Sequence, residues 1–459
     1  RLNPVRLEEA LQGGASGVTV VQSGSPGSKP TVLVRGIPSF GGNDPVVIVD
    51  GVIQTLDDLN AINPSEIENI NVLKDAATTS IYGVKGGNGV ILVTTKTGRK
   101  NQKTDIGFTA TYGSQQVVST IPMLNGAEYA GILNEGSVAS GGGIIFPDLS
   151  TVGAGTDWQK EVFKSAPLQT YNISAKGGNQ SIAYFLSGGY LNQGGIVGGI
   201  DKSRFSRANF TSNLSFDLSS KLKFITNTSY VNFDGKGIQE NSFNSILGSA
   251  INYDPTVPVY NTVPNTIGQY GFSNLITREV FNPLTKLDNT YNQSLGAKLY
   301  GKFELQYDLL KNFKITTRYG YTKYDGNSKT FVPLVFYGLN NVDNSLNADG
   351  STVAGKHNSV SHDKNSYSSF LYELFGNYNF SLKDKHNFEA TAGISLSKNS
   401  GNAAGASRQD VPFNSWEFAD FTSATGSSSN NNAEGLRGYY YQFEARRASG
   451  FGRLNYDYD

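Results

Sequence analysis

From Asp105 to the end of the chain, apolar and polar residues alternate with a period of two over segments of roughly ten to fifteen residues, and this limits the fold more than any other feature. Ile106, Phe108, Ala110 and Tyr112 share one face of an extended segment, while Asp105, Gly107, Thr109 and Thr111 share the other. The split returns with Phe210, Leu214, Phe216 and Leu218 against Asn209, Thr211, Asn213 and Asp217. It returns again with Leu295, Ala297, Leu299, Phe303, Leu305 and Tyr307 against Lys298, Lys302, Glu304, Gln306 and Asp308. Strands of ordinary globular sheets run about 5–6 residues, so these segments read as long antiparallel strands.

Alternation alone fits two environments. A membrane barrel turns its apolar face to lipid and its polar face to an aqueous lumen, whereas a soluble sandwich buries the apolar face against a second sheet. The connections discriminate. Short turns are expected at 176–180, 218–221, 309–312 and 382–387, and long polar loops at 117–167, 191–203, 234–290, 325–365 and 399–438. Short and long connections alternate throughout, as in a barrel with tight turns at one rim and large loops at the other.

Composition agrees. Basic and acidic residues balance at 38 each, so there is no overall basic field to hold nucleic acid, and none is expected as a partner. Cysteine is absent, which excludes disulfides and thiolate metal sites. The 25 Tyr and 26 Phe suit strands that carry aromatic girdles at membrane surfaces. No run reaches the ~18 consecutive apolar residues of a spanning helix. The chain opens at Arg1 without a leader-like segment, so any secretory signal is expected to have been removed or to lie outside this sequence.

The first hundred residues differ in kind. Thr31–Val34, Val46–Val49, Ile70–Leu73 and Val90–Thr95 are short β-branched runs bounded by Gly, Pro, Asn or Asp, and they read as one small sheet. Helices are expected from Pro4 to Leu11, at Ser65–Glu68 after Pro64, and at Ala76–Tyr82 behind an Asp75 cap, with a further strand at Val18–Val21. Residues 1–100 therefore form a compact α+β domain and 101–459 the long-stranded part.

Within the first domain, VLVRG (32–36), PVVIVDG (45–51), LNAINPSEIENINV (59–72), VLKDAATTSIYG (72–83) and GGNGVILVTTK (86–96) resemble the plug of TonB-dependent outer-membrane transporters. They resemble most the SusC/RagA branch, and MLNGAEYAGILNEG (123–136) extends the likeness. The resemblance implies an all-β antiparallel transmembrane barrel in a Gram-negative outer membrane, with the α+β plug inside its lumen. Plugged transporters have about 22 strands; about ten are present here, so the chain is expected to cover the plug and somewhat under half the barrel. The resemblance also implies import of oligosaccharide or peptide cargo with a SusD-like surface lipoprotein, energy from TonB, contact with outer-membrane lipid, and pairing of transporter complexes into dimers. No cofactor is implied. The plug-motif positions are Arg35, Gly36, Asp50, Gly51, Lys74, Asp75, Tyr82 and Gly83.

Several residues invite sharper roles. Ser39, Phe40, Asn43 and Asp44 lie in a polar loop that faces the substrate side in the family, and Trp416 lies in an Asn/Ser-rich loop suited to gripping sugars, although each loop is equally readable as a mere connection. Lys74-Asp75 reads as a helix cap with a local ion pair, and Arg35 and Asp50 as a structural or switching contact within the plug or against the wall. Gly86–Gly89 precedes a strand and reads as a tight turn, not a phosphate loop. His357, His362 and Asp363 lack a third clear metal ligand, and Glu240, Glu279, Glu304 and Glu373 are scattered without a glycosidase signature, so no enzyme is expected. The alternative from another class is a secreted or surface-attached β-rich protein for glycan binding or adhesion.

Overall fold

The fold is that of a computed structural model, which describes the chain except for residues 1–5, 8–10, 12, 14–15, 22–23, 29, 35, 37–41, 76–85, 240–241, 243, 276–278, 383–384, 427–435 and 459. Among the described residues six short strands belong to the N-terminal domain: β1 (Val18–Val21), β2 (Thr31–Val34), β3 (Val46–Val49), β4 (Val52–Gln54), β5 (Ile67–Leu73) and β6 (Val90–Thr95). β3 pairs in parallel with β6 and antiparallel with β4, giving a four-stranded sheet in the order β4-β3-β6-β5. Its core holds Val47, Val49, Ile91 and Val93 against Leu56, Leu59 and Ile62.

Two expectations need correction here. Thr31–Val34 is not in the main sheet; it pairs with β1 in a separate two-stranded sheet. Its place is taken by Val52–Gln54, because Asp50 (φ 50°) and Gly51 (φ 90°) both adopt positive φ and close a two-residue hairpin. The expected helix at Ser65–Glu68 shrinks to a three-residue 3-10 turn, Pro64–Glu66. Asn63 caps that turn by accepting from the Ser65 amide, but β-branched Ile67 already pairs with Thr95 in the sheet. The expected helix at Ala76–Tyr82, and most of that at Pro4–Leu11, lies outside the described residues.

The remainder is one antiparallel sheet of ten strands in simple sequential order: β7 (Asp105–Gln115), β8 (Ala166–Gly178), β9 (Ile182–Gly194), β10 (Arg204–Asp217), β11 (Leu222–Lys236), β12 (Tyr291–Leu310), β13 (Phe313–Val332), β14 (Ser359–Leu382), β15 (His386–Gln409) and β16 (Leu436–Tyr458). The short and long connections alternate as the sequence implies. The later strands are longer than expected, with 20 residues in β12 and β13 and 24 in β14 and β15. Their outer ends, such as Asp325–Ser328 and Asn399–Asn402, are polar on both faces. Above an apolar band both faces meet water, so the period-two signal stops before the strand does.

Burial in this sheet is inverted relative to a soluble protein. Ile106 and Phe108 are 71% and 69% exposed, whereas Thr211, Lys298 and Glu304 are 1%, 2% and 4% exposed. Among the described residues no second sheet covers the apolar face, which contradicts the sandwich alternative. Rings gather on that face beside the short turns: Phe380 and Phe388 stack at 4.9 Å, and Tyr378 and Tyr456 flank them at 5.4 and 5.1 Å. Such a row is an interfacial girdle. Among the described residues no helix is long and apolar enough to span a membrane. The chain is therefore a partial transmembrane β-barrel with its N-terminal plug against the polar, lumenal face. Above the long-loop rim, Trp158, Val162, Ile246, Tyr253 and Leu287 build a separate apolar cluster that stiffens the loops.

Candidate functional site

Polar residues project from successive wall strands at alternate positions, and the plug presents carboxylates and backbone carbonyls to them. Glu66 closes the 3-10 turn of the plug and is 3% exposed. Its carboxylate accepts hydrogen bonds from Ser187 Oγ (2.5 Å), Asn209 Nδ2 (2.6 Å) and Thr211 Oγ1 (2.9 Å), one from β9 and two from β10. Burial pushes this carboxyl up from its ordinary value; the three donors and the nearby Arg207 guanidinium pull the other way. Arg207 donates to the carbonyls of Asn60 and Ile62, both at 2.9 Å, and so satisfies acceptors at the end of the 3-10 helix Leu56–Ala61. Asn213 donates to Thr95 Oγ1 and to the Lys96 carbonyl, each at 2.8 Å.

Lys298 is the most deeply buried lumenal cation among the described residues. Its ammonium donates to Gln54 Oε1 at 2.7 Å and pairs with Asp58, while Gln54 Nε2 donates to Thr322 Oγ1 at 3.0 Å. The other oxygen of Asp58 accepts from the amide (2.7 Å) and hydroxyl (2.9 Å) of Thr55, forming a capping box on the same helix. One carboxylate thus shapes the plug turn and fastens it to the wall.

Below it, the β3–β4 hairpin rests on a cluster of charges. Arg318 donates to Glu304 (2.7 Å) and Glu373 (3.0 Å), and Lys302 pairs with Glu304 at 3.1 Å. The guanidinium reaches the hairpin turn itself: a Cβ on Gly51 would lie 3.0 Å from Arg318 Nη1, in a backbone region that already favours glycine. Asp50 accepts from the Thr95 amide (2.9 Å) and hydroxyl (2.6 Å), and burial raises its carboxyl above the ordinary value.

Above the plug, toward the long loops, opens a cavity of about 940 Å³. Plug segments 25–28 and 55–61 contribute to its floor, and β10 to β15 supply the wall, including Phe205, Phe233, Tyr324 and Tyr367.

The anticipated residues scatter around this arrangement. Asp50 and Gly51 form the hairpin turn, and Gly36 has φ 94°. Lys74 reaches Ser16, donating to its carbonyl and hydroxyl, and Asp75 follows it just before the undescribed stretch. Arg35, Tyr82, Gly83, Ser39 and Phe40 lie outside the described residues. Asn43 and Asp44 precede β3, where Asn88 Nδ2 donates to the carbonyls of Gly42 (3.0 Å) and Asp44 (3.5 Å); neither residue is on the cavity lining. Trp416 stacks on Tyr291 at 5.9 Å with the Lys329 ammonium over its ring, bracing a loop against the wall. His357 pairs with Asp410 (2.6 Å) and His362 packs on Phe421, and among the described residues no group of three metal-capable side chains occurs.

Sequence reasoning missed Glu66, Asp58, Arg207 and Lys298 as contacts. The available signal was charge at mid-strand: Lys298, Lys302 and Glu304 occupy lumenal positions where a charge needs a partner. It missed the approach of Glu304 to Glu373, which their shared Arg318 bridges.

Residues 1–90 match the TonB-dependent Receptor Plug Domain family. A TonB-dependent receptor of Formosa agariphila is 32% identical over an alignment of 471 positions that covers all of this chain and 44% of the relative. The TonB-dependent receptor SusC of Bacteroides thetaiotaomicron is 29% identical, with 72% of this chain and 35% of the relative covered. The chain thus spans less than half the length of these curated relatives. Among solved structures, the RagAB peptide importer in its closed-closed state superposes with a TM-score of 0.80 at 22% identity, covering 99% of this chain and 52% of that one. That likeness is one of fold.

Proposed function

We propose that this chain is a TonB-dependent outer-membrane transporter of the SusC/RagA type and takes part in energy-coupled import of oligosaccharides or peptides across the outer membrane. Residues 1–100 serve as the plug and 101–459 as the first part of the barrel wall. A SusD-like lipoprotein covers the long-loop rim, cargo enters the cavity above the plug, and a pull from TonB frees the plug from the wall. Asn43 and Asp44, ahead of β3, give the plug a second contact with cargo, and pairs of such complexes associate as dimers.

One observation carries this function: the wall turns aliphatic and aromatic side chains outward while its polar face is occupied by a separately folded domain. Lipid outside and a removable stopper inside are the physical requirements of a gated pore. The plug is fastened by hydrogen bonds and ion pairs, contacts that water can replace as it moves, beside a local apolar contact in which Val231 and Tyr300 of the wall join the plug core. The Glu66 and Lys298 contacts are the fastenings such a pull must break.

The test is uptake. Cells carrying the protein are expected to accumulate labelled cargo from a mixed nutrient pool only while a proton-motive force is present, and the purified protein should need detergent and migrate differently on gels before and after heating. Uptake indifferent to an uncoupler, or a protein soluble without detergent, would contradict the proposal.

A further inference from the structure

The two rims of the wall carry opposite charge. Connections on the long-loop side (116–165, 195–203, 237–290, 333–358 and 410–435) hold sixteen Asp and Glu against six Lys and Arg. Those on the short-turn side (97–104, 179–181, 218–221, 311–312 and 383–385) hold seven Lys and Arg against one Asp. We propose that the short-turn rim binds the phosphates of anionic phospholipid in the periplasmic leaflet, through lysines placed just beyond the aromatic girdle. This rests on the outer-membrane barrel above and adds a lipid preference to it.

The lysines recur at one spacing. Lys221 lies three residues before Phe224, Lys311 two before Phe313 and Lys385 three before Phe388. All three phenylalanines belong to the outward face: Phe224 stacks with Phe303 at 6.4 Å, Phe313 meets Tyr378 at 6.1 Å, and Phe388 stacks on Phe380 at 4.9 Å. Two or three residues of strand rise about 7–10 Å, or about 5–7 Å along the membrane normal at a ~45° tilt. The headgroup region beyond each hydrocarbon boundary is about 5–8 Å thick. These ammonium groups therefore stand at phosphate depth, on stems that can lie along the lipid.

Nothing on the rim competes for them. Lys221, Lys311 and Lys385 are exposed, and among the described residues none forms an ion pair. The neighbouring acids are already committed: Asp217 pairs with Lys100, Asp105 with Lys176 at 3.4 Å and Asp308 with Lys314 at 3.9 Å. By the alternation of their strands, these three acids sit on the lumenal face, away from lipid.

The girdle supplies neutral donors at the same level. Tyr378, Tyr456 and Tyr458 are exposed on the outward face, and the Tyr456 hydroxyl is hydrogen-bonded to His386 Nδ1 at 2.8 Å. Phenol tips above an apolar band can donate to phosphodiester oxygens. A zwitterionic headgroup carries its own cation and has little net charge to offer, whereas an anionic one gains attraction from each basic side chain near the surface. The acidic long-loop rim offers no such field, so the preference belongs to one leaflet.

The experiment uses the protein extracted from the outer membrane in mild detergent and captured on resin. It is washed with mixed micelles of phosphatidylglycerol and phosphatidylethanolamine of matched chains, or with an acidic peptidoglycan fragment, and retained species are counted by mass spectrometry. Phosphatidylglycerol should be retained about tenfold over phosphatidylethanolamine. Lys221→Gln, Lys311→Gln and Lys385→Gln together should remove that preference, and Lys221→Arg, Lys311→Arg and Lys385→Arg together should keep it. Lys160→Gln, Lys164→Gln and Lys356→Gln, which take the same charge from the long-loop side, should leave it unchanged. Equal retention of the two lipids, a preference that survives the first triple variant or is lost in the long-loop one, or retention of the peptidoglycan fragment in place of lipid would overturn the assignment. Heat-dependent gel migration of the same samples reports the barrel independently, so the barrel can stand where the lipid preference falls.

Discussion

The plug sheet and the barrel wall solve the same packing problem in opposite senses. In the plug, Val47 and Ile91 are fully buried and polar side chains face outward, the usual inside-out order of a water-soluble domain. In the wall, alternating strands of similar composition bury Thr211, Asn213 and Lys298 and expose Phe303, Leu299 and Ile394. Period-two alternation dictates that a strand has two faces. The solvent on each side decides which face is buried, and where the two domains meet, polar wall residues close over the carboxylates and carbonyls of the plug.

Substitutions that treat the two regions as equivalent should break this contrast. The largest effect is expected from Asp58→Ala, which removes the carboxylate paired with the buried Lys298 ammonium and the cap on 56–61; the loss of plug stability should be about 3–5 kcal/mol. Hydrogen exchange of residues 52–62 would report it as early opening of that turn, while the wall stays protected. Next comes Phe303→Lys on the outward face of β12, expected to cost about 2–4 kcal/mol in urea unfolding from phospholipid vesicles. A similar charge on the outer face of a soluble sheet would cost within about 0.5 kcal/mol.

Glu66 separates the roles of charge and hydrogen bonding. Glu66→Ala strands the Ser187, Asn209 and Thr211 donors and should cost about 1–3 kcal/mol. Because burial raises the folded-state value of this carboxyl, its contribution to stability is fully present below the unfolded value, near 4.5, and is lost as pH rises through the folded value. Plug unfolding followed from about pH 4 to pH 8 should therefore show firmer seating in mild acid, and Glu66→Gln should flatten that dependence. The smallest effect is expected from Thr55→Ala, which removes one hydroxyl from the capping box and should cost about 1 kcal/mol, seen as a lower plug melting temperature with the wall unchanged.

Much of the wall could be read from the sequence because lipid and water impose opposite demands on neighbouring residues. Leu295 to Tyr307 announce their strand and its two faces. The signal fades at Asp325–Ser328 and Asn399–Asn402, where both faces are wet, and there the strands outrun the expectation. In the plug, Val46–Val49 and Val90–Thr95 were legible as strands, but their partners were not. The Asp50-Gly51 hairpin that recruits Val52–Gln54 was available as a local signal, whereas the removal of Thr31–Val34 to β1 depends on packing across the domain. The plug–wall contacts were least legible, since Glu66 and Ser187 are 121 positions apart and Gln54 and Lys298 are 244 apart. Nothing local to either partner specifies the other.

The orientation of the wall can be tested at one pair of neighbours. The chain has no native cysteine, so Ile394→Cys and Ser395→Cys on β15 can each carry a single nitroxide label in vesicles. With lipid outside and an aqueous lumen inside, the label at 394 should collide with oxygen dissolved in the bilayer and be shielded from a water-soluble nickel chelate, and the label at 395 should show the reverse. Equal accessibility at the two positions, or the opposite order, would contradict a barrel whose apolar face meets hydrocarbon.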